Sequence, residues 1–284
     1  MKLDTPVGSP TGQGNEMDML ELDGVGGGGQ LLRSALTLAL CTGTGFTMRG
    51  IRGGRARPGL MRQHLTCVQA ACAISGGQAI GATLGSTELR FVPGPVVAGD
   101  YSFALGTAGS TMLVLQTLLP ALWRAGGPSR LRLEGGTHNP MAPSADFIQQ
   151  TYLPALRRLG VCADLALETH GFYPAGGGAV LATIEPCTSL QVAEFHERGA
   201  FVAVEATALL SALSSSIGRR ELAVLGKRLG LGEEQLHLRS VRPAVGPGNA
   251  VTVRVAHDQH VELFTGYGSA PFRPRRSPSA LLST

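Results

Sequence analysis

The chain has 284 residues, 43% of them hydrophobic and 15% charged, a balance that can bury a large core and excludes a disordered protein. Its formal net charge is +4, yet Lys2 and Lys227 are its only lysines, so arginine carries nearly all the positive charge. Arginine favours bidentate contacts with phosphate. No acidic residue lies between Asp23 and Glu88, whereas Arg33, Arg49, Arg52, Arg55, Arg57 and Arg62 all do, and this stretch should attract anions.

Cys41, Cys67, Cys72, Cys162 and Cys187 are odd in number and form no C-x-x-C pair, which fits a reduced cytoplasmic protein without a structural zinc. Residues 1–18 offer neither a basic nor an apolar signal region and are expected to be a disordered leader. No apolar run approaches the ~20 residues of a membrane span.

In chain order, a short strand over Met19 to Leu22 leads through a glycine turn, Gly24 to Gly29, into a helix from Gln30 to Cys41 with apolar spacing at Leu32, Ala35, Leu36 and Ala39. A second helix is predicted from Gly59 to Ile74, then strands over Ala79 to Leu84 and Glu88 to Val92. The pattern recurs: a strand at Tyr101 to Leu105, a helix from Met112 to Arg124, a strand at Arg130 to Glu134, a helix from Ser144 or Asp146 to Leu159, and strands at Val161 to Glu168 and Ala179 to Ile184. Two strand-helix-strand-helix-strand-strand units of roughly 80 residues each are therefore expected, an α/β (α+β) fold. After Pro186 the composition shifts, with one helix at Gly218 to Leu229 and strands at Phe201 to Thr207 and Ala250 to Ala256. Ser269 to Thr284 has no periodicity and is expected to be unstructured.

Gly24-x-Gly26-x-x-Gly29 formally fits a dinucleotide fingerprint, but no acid follows about 20 residues later to bind a ribose, and Arg49 and Arg52 leave only an NADP variant of that reading. More generally, the glycines let backbone amides approach an anion at the start of a helix. Arg52, Arg55 and Arg57 sit among residues too small to bury them, just ahead of the helix carrying Arg62, Gln63 and His64, a pattern suited to polyphosphate or an RNA backbone. His64, His138 and His170 have no spacing that marks a nucleophile, and no His pair suggests a metal.

Taken together, L-D-G with G-G-G-Q-L-L-R, I-R-x-G-R-x-R-P-G-L-x-R-Q-H-L, G-D-Y-x-F-A-L-G-T-A-G-S, L-V-L-Q-T-L-L-P-A-L-W, G-G-T-H-N-P-x-A-P-x-A-D-F and H-G-F-Y-P-A-G-G-G, in this order from Leu22 to Gly178, resemble the RNA 3′-terminal phosphate cyclase family. G-P-G-N-A at Gly246 to Ala250 and L-F-T-G-Y-G at Leu263 to Gly268 extend the likeness. The resemblance implies a large domain over 19–186, made of two units and the start of an incomplete third, an inserted small thioredoxin-like domain over 187–266, and an aberrant tail over 267–284. It also implies the chemistry. ATP and a divalent metal, Mg or Mn, adenylylate a histidine, AMP passes to an RNA 3′-phosphate, and the neighbouring 2′-hydroxyl displaces it to leave a 2′,3′-cyclic phosphodiester. Matched residue by residue, Gln116 is an ATP contact, Pro143 packs on adenine, and Arg33, Arg52, Arg55 and Gln63 serve phosphates of ATP or RNA. The expected partners are ATP and RNA 3′ ends, with no membrane.

The chain departs from the pattern twice. The family's glycine loop is longer and carries a metal-assisting glutamate, whereas here Val25-Gly26 runs straight into Gly27-Gly28-Gly29. After Gly268 nothing matches the family's H-x-A-D-Q-like segment with its nucleophilic histidine, so no catalytic residue is assigned, and a frameshifted or truncated, impaired and poorly soluble cyclase is expected. The alternative is a non-catalytic RNA-binding or ribosomal-RNA-processing relative.

Overall fold

The computed structural model describes residues 19–241 and 245–268; the expected leader over 1–18 and the tail from Ser269 onward lie outside them. The chain divides into two compact units. One comprises the chain up to Ala98 with Thr117–Gly126, and the other comprises Gly99–Gln116 with everything from Gly127 onward.

The first unit runs β1 (Leu20–Asp23), α1 (Gly29–Thr42), β2 (Phe46–Arg49), α2 (Arg62–Ser75), β3 (Gln78–Ile80) and β4 (Glu88–Val92). Its sheet has the order β1-β2-β4-β3, with β1 parallel to β2 and the other pairs antiparallel. The α1 crossover allows that parallel pair, because two parallel strands cannot be joined by a hairpin. Leu32, Leu36 and Ala39 on α1 are buried at the spacing of one helix face, as are Cys67, Val68, Ala71 and Ile74 on α2. Both helices end on left-handed glycines, Gly43 and Gly76, where a side chain would be strained.

The plan recurs with β5 (Asp100–Ala104), α3 (Thr111–Leu122, assigned to the second unit only as far as Gln116), β6 (Ser129–Gly135), a helical stretch, β7 (Ala163–Thr169) and β8 (Gly178–Ile184). The helical stretch is α4 (Ala145–Phe147), a π-helical turn over Ile148–Tyr152, and α5 (Leu153–Arg158). Its sheet order is β5-β6-β8-β7, with β5 parallel to β6 and the remaining pairs antiparallel. Position for position, this is the order of the first sheet. A further sheet in this unit, β10-β9-β11-β12, is built from β9 (Phe201–Ser211), β10 (Leu236–Val241), β11 (Gly248–His257) and β12 (Val261–Tyr267). Helix α6 (Ser215–Leu229) packs on it through Leu222, against Ala206 and Ala208.

The mixed α/β class and the repeated unit agree with expectation, and the differences have local causes. The second helix starts at Arg62 rather than Gly59, because Gly59 has φ +80° and its carbonyl accepts from the Arg52 guanidinium instead of entering a helix. The helix expected from Ser144 to Leu159 is interrupted by the π turn, and Ser144 is its cap, with Oγ accepting from the Phe147 amide.

Phe172 joins the two sheets of the second unit. It is buried with Leu209 and Ala250, and a Cβ added at Gly248 would stand 2.0 Å from its ring. Gly248→Ala should therefore destabilise the protein by about 1–3 kcal/mol, the usual cost of overpacking. An unchanged urea-unfolding midpoint would contradict this packing.

Candidate functional site

Each unit carries a concentration of polar side chains, and the two differ in sign. In the first, the glycine turn brings the start of α1 against the loop before α2. The Gly24 amide donates to the Arg49 carbonyl at 2.7 Å and the Gly54 amide to Val25 at 2.9 Å, clamping the two loops together. A Cβ at Gly29 would lie 2.1 Å from His64 Nε2, and one at Gly28 would lie 3.0 Å from the Arg55 guanidinium. The glycines are thus the space into which His64 and Arg55 reach.

His64 accepts at Nδ1 from the Met61 amide at 3.1 Å, which leaves the proton of the neutral ring on Nε2, pointing at Gly29. Burial first, then the charges of Arg52 and Arg33, push its pKa down to about 4. Arg33 is buried on α1, with Nη2 donating to Gln30 Oε1 at 2.5 Å and Nε without a partner among the described residues. Desolvation lowers its pKa. Arg52 has φ +54°, a region non-glycine residues seldom occupy, and donates from Nη1 to the Gly59 carbonyl at 2.8 Å. The structure therefore brings Arg33, Arg52 and Arg55 together around His64. Gln63, on the same helix, is half-buried. Neutral donors and uncompensated guanidinium groups at the start of a helix make a site for an anion.

In the second unit, a cavity of about 1240 Å³ opens beside Pro143, with Pro140, Phe147 and Phe172 on one side and Leu213, Ile217 and Leu263 on another. It is mostly apolar and large enough for a nucleotide. On its wall His138, fully buried, donates from Nε2 to Asp146 at 2.9 Å and accepts at Nδ1 from Thr137 Oγ1 at 2.8 Å. Its ring neighbours those of His170, at 5.4 Å, and Phe172, at 5.1 Å. Burial alone would raise the Asp146 carboxyl; the His138 hydrogen bond, helped by His170 and Arg239, holds it below the usual carboxylate range. Tyr267 is pushed up to about 12 by burial and by the nearby Asp146 charge. Pro143 thus lines a cavity of nucleotide size, whereas Gln116 is half-buried on α3 and is not part of this lining.

Sequence reading passed over Asp146, Tyr267, Glu221 and Asn249, all of which contribute to this region. Their separation along the chain hides the grouping, and only the G-G-T-H-N-P segment carried a local sign of it. Among the described residues no group of three His, Cys, Asp or Glu could hold a metal ion. Beside the glycine turn, Asp23 Oδ1 accepts from the Val25 amide at 2.9 Å.

The family description "RNA 3′-terminal phosphate cyclase" matches residues 25–264. The chain is 50% identical to the RNA 3′-terminal phosphate cyclase of Ralstonia nicotianae over 254 residues, covering 88% of this chain and 72% of that protein. It is 50% identical over 252 residues to that of Salmonella paratyphi C, covering 88% and 73%. To that of Pseudomonas fluorescens it is 49% identical over 261 residues, covering 92% and 76%. The chain belongs to the RNA 3′-terminal phosphate cyclase family, a family of enzymes.

His64 supplies a pH test. Its folded pKa lies below the unfolded value of 6.5, so the unfolded chain binds more protons between about 4 and 6.5. Stability should be complete above 6.5 and fall by about 3 kcal/mol as the pH drops towards 4. His64→Gln should flatten that slope in urea unfolding. An identical slope in the variant would show that the ring is not buried neutral.

Proposed function

We propose that this chain binds ATP in the cavity beside Pro143 and the 3′-phosphate end of RNA at the arginine cradle, and serves ATP-dependent formation of a 2′,3′-cyclic phosphodiester. The observation that carries this reading is the cradle. Arg33, Arg52 and Arg55 converge at the start of α1 around a neutral His64, and no acid occurs from Gly24 to Thr87 to neutralise them. A phosphate or phosphodiester matches that field and the donors around it. Gln63, on the α2 turn that holds His64, is assigned to the same phosphates, and Gln116 to ATP. When bound, ATP supplies the leaving group that a bare phosphate lacks. The protein's part is to hold the phosphates against guanidinium groups that stabilise charge developing on their oxygens.

Two histidines at these sites, His64 and His138, are engaged. His138 is bonded at both nitrogens, and His64 is bonded at Nδ1 with Nε2 packed against Gly29. Neither offers a free nitrogen to the α-phosphorus of ATP, and we infer that binding exceeds catalysis for the residues described. Free, scattered cysteines support a reducing cytoplasm as the location.

Arg55 is exposed, so its removal tests binding without disturbing the fold. Arg55→Ala should weaken binding of a 3′-phosphorylated RNA uniformly across sequences and reduce the slope of log affinity against log salt by about one. Unchanged affinity and slope would remove the cradle from the reading. Incubation with labelled ATP should leave no AMP on His64 or His138; a mass-mapped adduct on either would reverse the assignment.

A further inference from the structure

The strands of the first two sheets alternate with two helical segments each, whereas those of the third have α6 and a single 3₁₀ turn, Glu233–Gln235. Helix α6 covers only part of its sheet. Leu222 packs on Ala206 and Ala208 of β9, and Val251 and Val253 of β11 pack against the same cluster, so these residues share one face. The register carries that face on to β12, where Gly266 pairs with Val251 and Phe264 with Val253. Beside α6 the face lies open as a groove of about 660 Å³, in which Val224 is 53% and Phe264 59% exposed. Exposed apolar side chains gathered in a groove mark an interaction surface.

The rim of the groove has one sign. Arg220, Lys227 and Arg228 stand four before, three after and four after Val224, on the groove's side of α6. All three are exposed, and none is in an ion pair among the described residues. The acids of α6 and β12 are already answered: Glu221 accepts from Asn249 at 2.6 Å, and Glu262 pairs with Arg198 at 3.4 Å. We propose that the groove docks an amphipathic helix of another polypeptide, its apolar stripe on Val224, Val251, Val253 and Phe264 and its carboxylates towards Arg220, Lys227 and Arg228. From Ile217 to Leu225 the groove runs beside about 12 Å of helix, room for roughly two turns of such a partner. Charge decides among the occupants. A second copy docking groove to groove would set these cations against their own images. Residues 269–284 bring Arg273, Arg275 and Arg276 and no acid. An RNA backbone would answer the cations and leave Val224 and Phe264 in water. An acidic amphipathic helix answers both, with apolar burial supplying affinity and the rim charges fixing orientation.

Fluorescence anisotropy on the full chain tests this with a labelled synthetic helix, a leucine stripe flanked by glutamates, and with its twin in which lysine replaces every glutamate. The glutamate peptide should bind about tenfold more tightly than the lysine twin, and less tightly as salt rises. Combining Arg220→Glu, Lys227→Glu and Arg228→Glu, with the thermal midpoint unchanged, should invert the preference. Phe264→Asp, checked in the same way, should weaken the glutamate peptide by about tenfold. Equal binding of the two peptides, tighter binding of the lysine twin, or binding of neither by the unaltered chain would overturn the proposal. A glutamate preference that survives the charge reversal would also overturn it, by moving the peptide to the arginine cradle. A concentration-dependent dimer abolished by Val224→Glu would give the groove to a second copy instead. Single-stranded RNA bound through the three cations, with no peptide bound, would give the rim to nucleic acid.

Discussion

The Arg33 guanidinium is buried on α1, and no carboxylate answers it among the described residues. A buried charge without a counter-charge is expensive, and the cost is met here only in part, by the Gln30 bond. The neighbourhood adds to the strain. Arg52 holds a left-handed backbone conformation, and His64 is kept neutral first by its burial and then by the two guanidinium groups that a proton there would join. Such a constellation is stabilised by whatever negative group enters it, so local instability and affinity for an anion are one property seen from two sides. The glycine run follows from the same constraint. With a Cβ at Gly29 the His64 ring could not take its place, and without that ring the Met61 amide would lose its acceptor.

The second unit uses the same order of strands and reverses the chemistry. Where the cradle of the first gathers cations without acids, the second holds half-buried carboxylates against imidazole and amide partners: Asp146 with His138, and Glu221 with Asn249. Phe172 ties this arrangement to the packing. Its ring lies tilted against His138 and in the apolar cluster with Leu209 and Ala250, so the imidazole is positioned by the contact that joins the unit's two sheets. A cavity wall fixed by core packing is preorganised, and a ligand entering it loses less affinity to ordering the protein.

Periodicity alone located most elements, because α1 and α2 bury one face each and β4 and β6 alternate cleanly enough to register. It overlooked β2, whose four residues F-T-M-R bury Phe46, Thr47 and Met48 in succession and so show no alternation. It also overlooked β10, whose burial is intermediate along most of its length. The basic cradle was legible because its arginines crowd one acid-free stretch of chain. The cavity was not, apart from Pro143. Its polar residues Glu221, Asn249 and Tyr267 come from three separate elements, and nothing in their spacing announces a meeting.

The glycine turn shows where a motif stops being informative. Gly24-x-Gly26-x-x-Gly29 reads equally well as a dinucleotide fingerprint, a phosphate loop or a packing requirement, because a run of glycines satisfies each pattern. What separates them is what fills the space the glycines leave. In a dinucleotide fold that space admits the pyrophosphate to the backbone. Here the space at Gly29 is taken by the His64 ring, and that at Gly28 borders the Arg55 guanidinium. The glycines therefore act through side chains: they make room at the start of the helix for the His64 ring and for the Arg55 guanidinium, and of these two only the guanidinium carries charge.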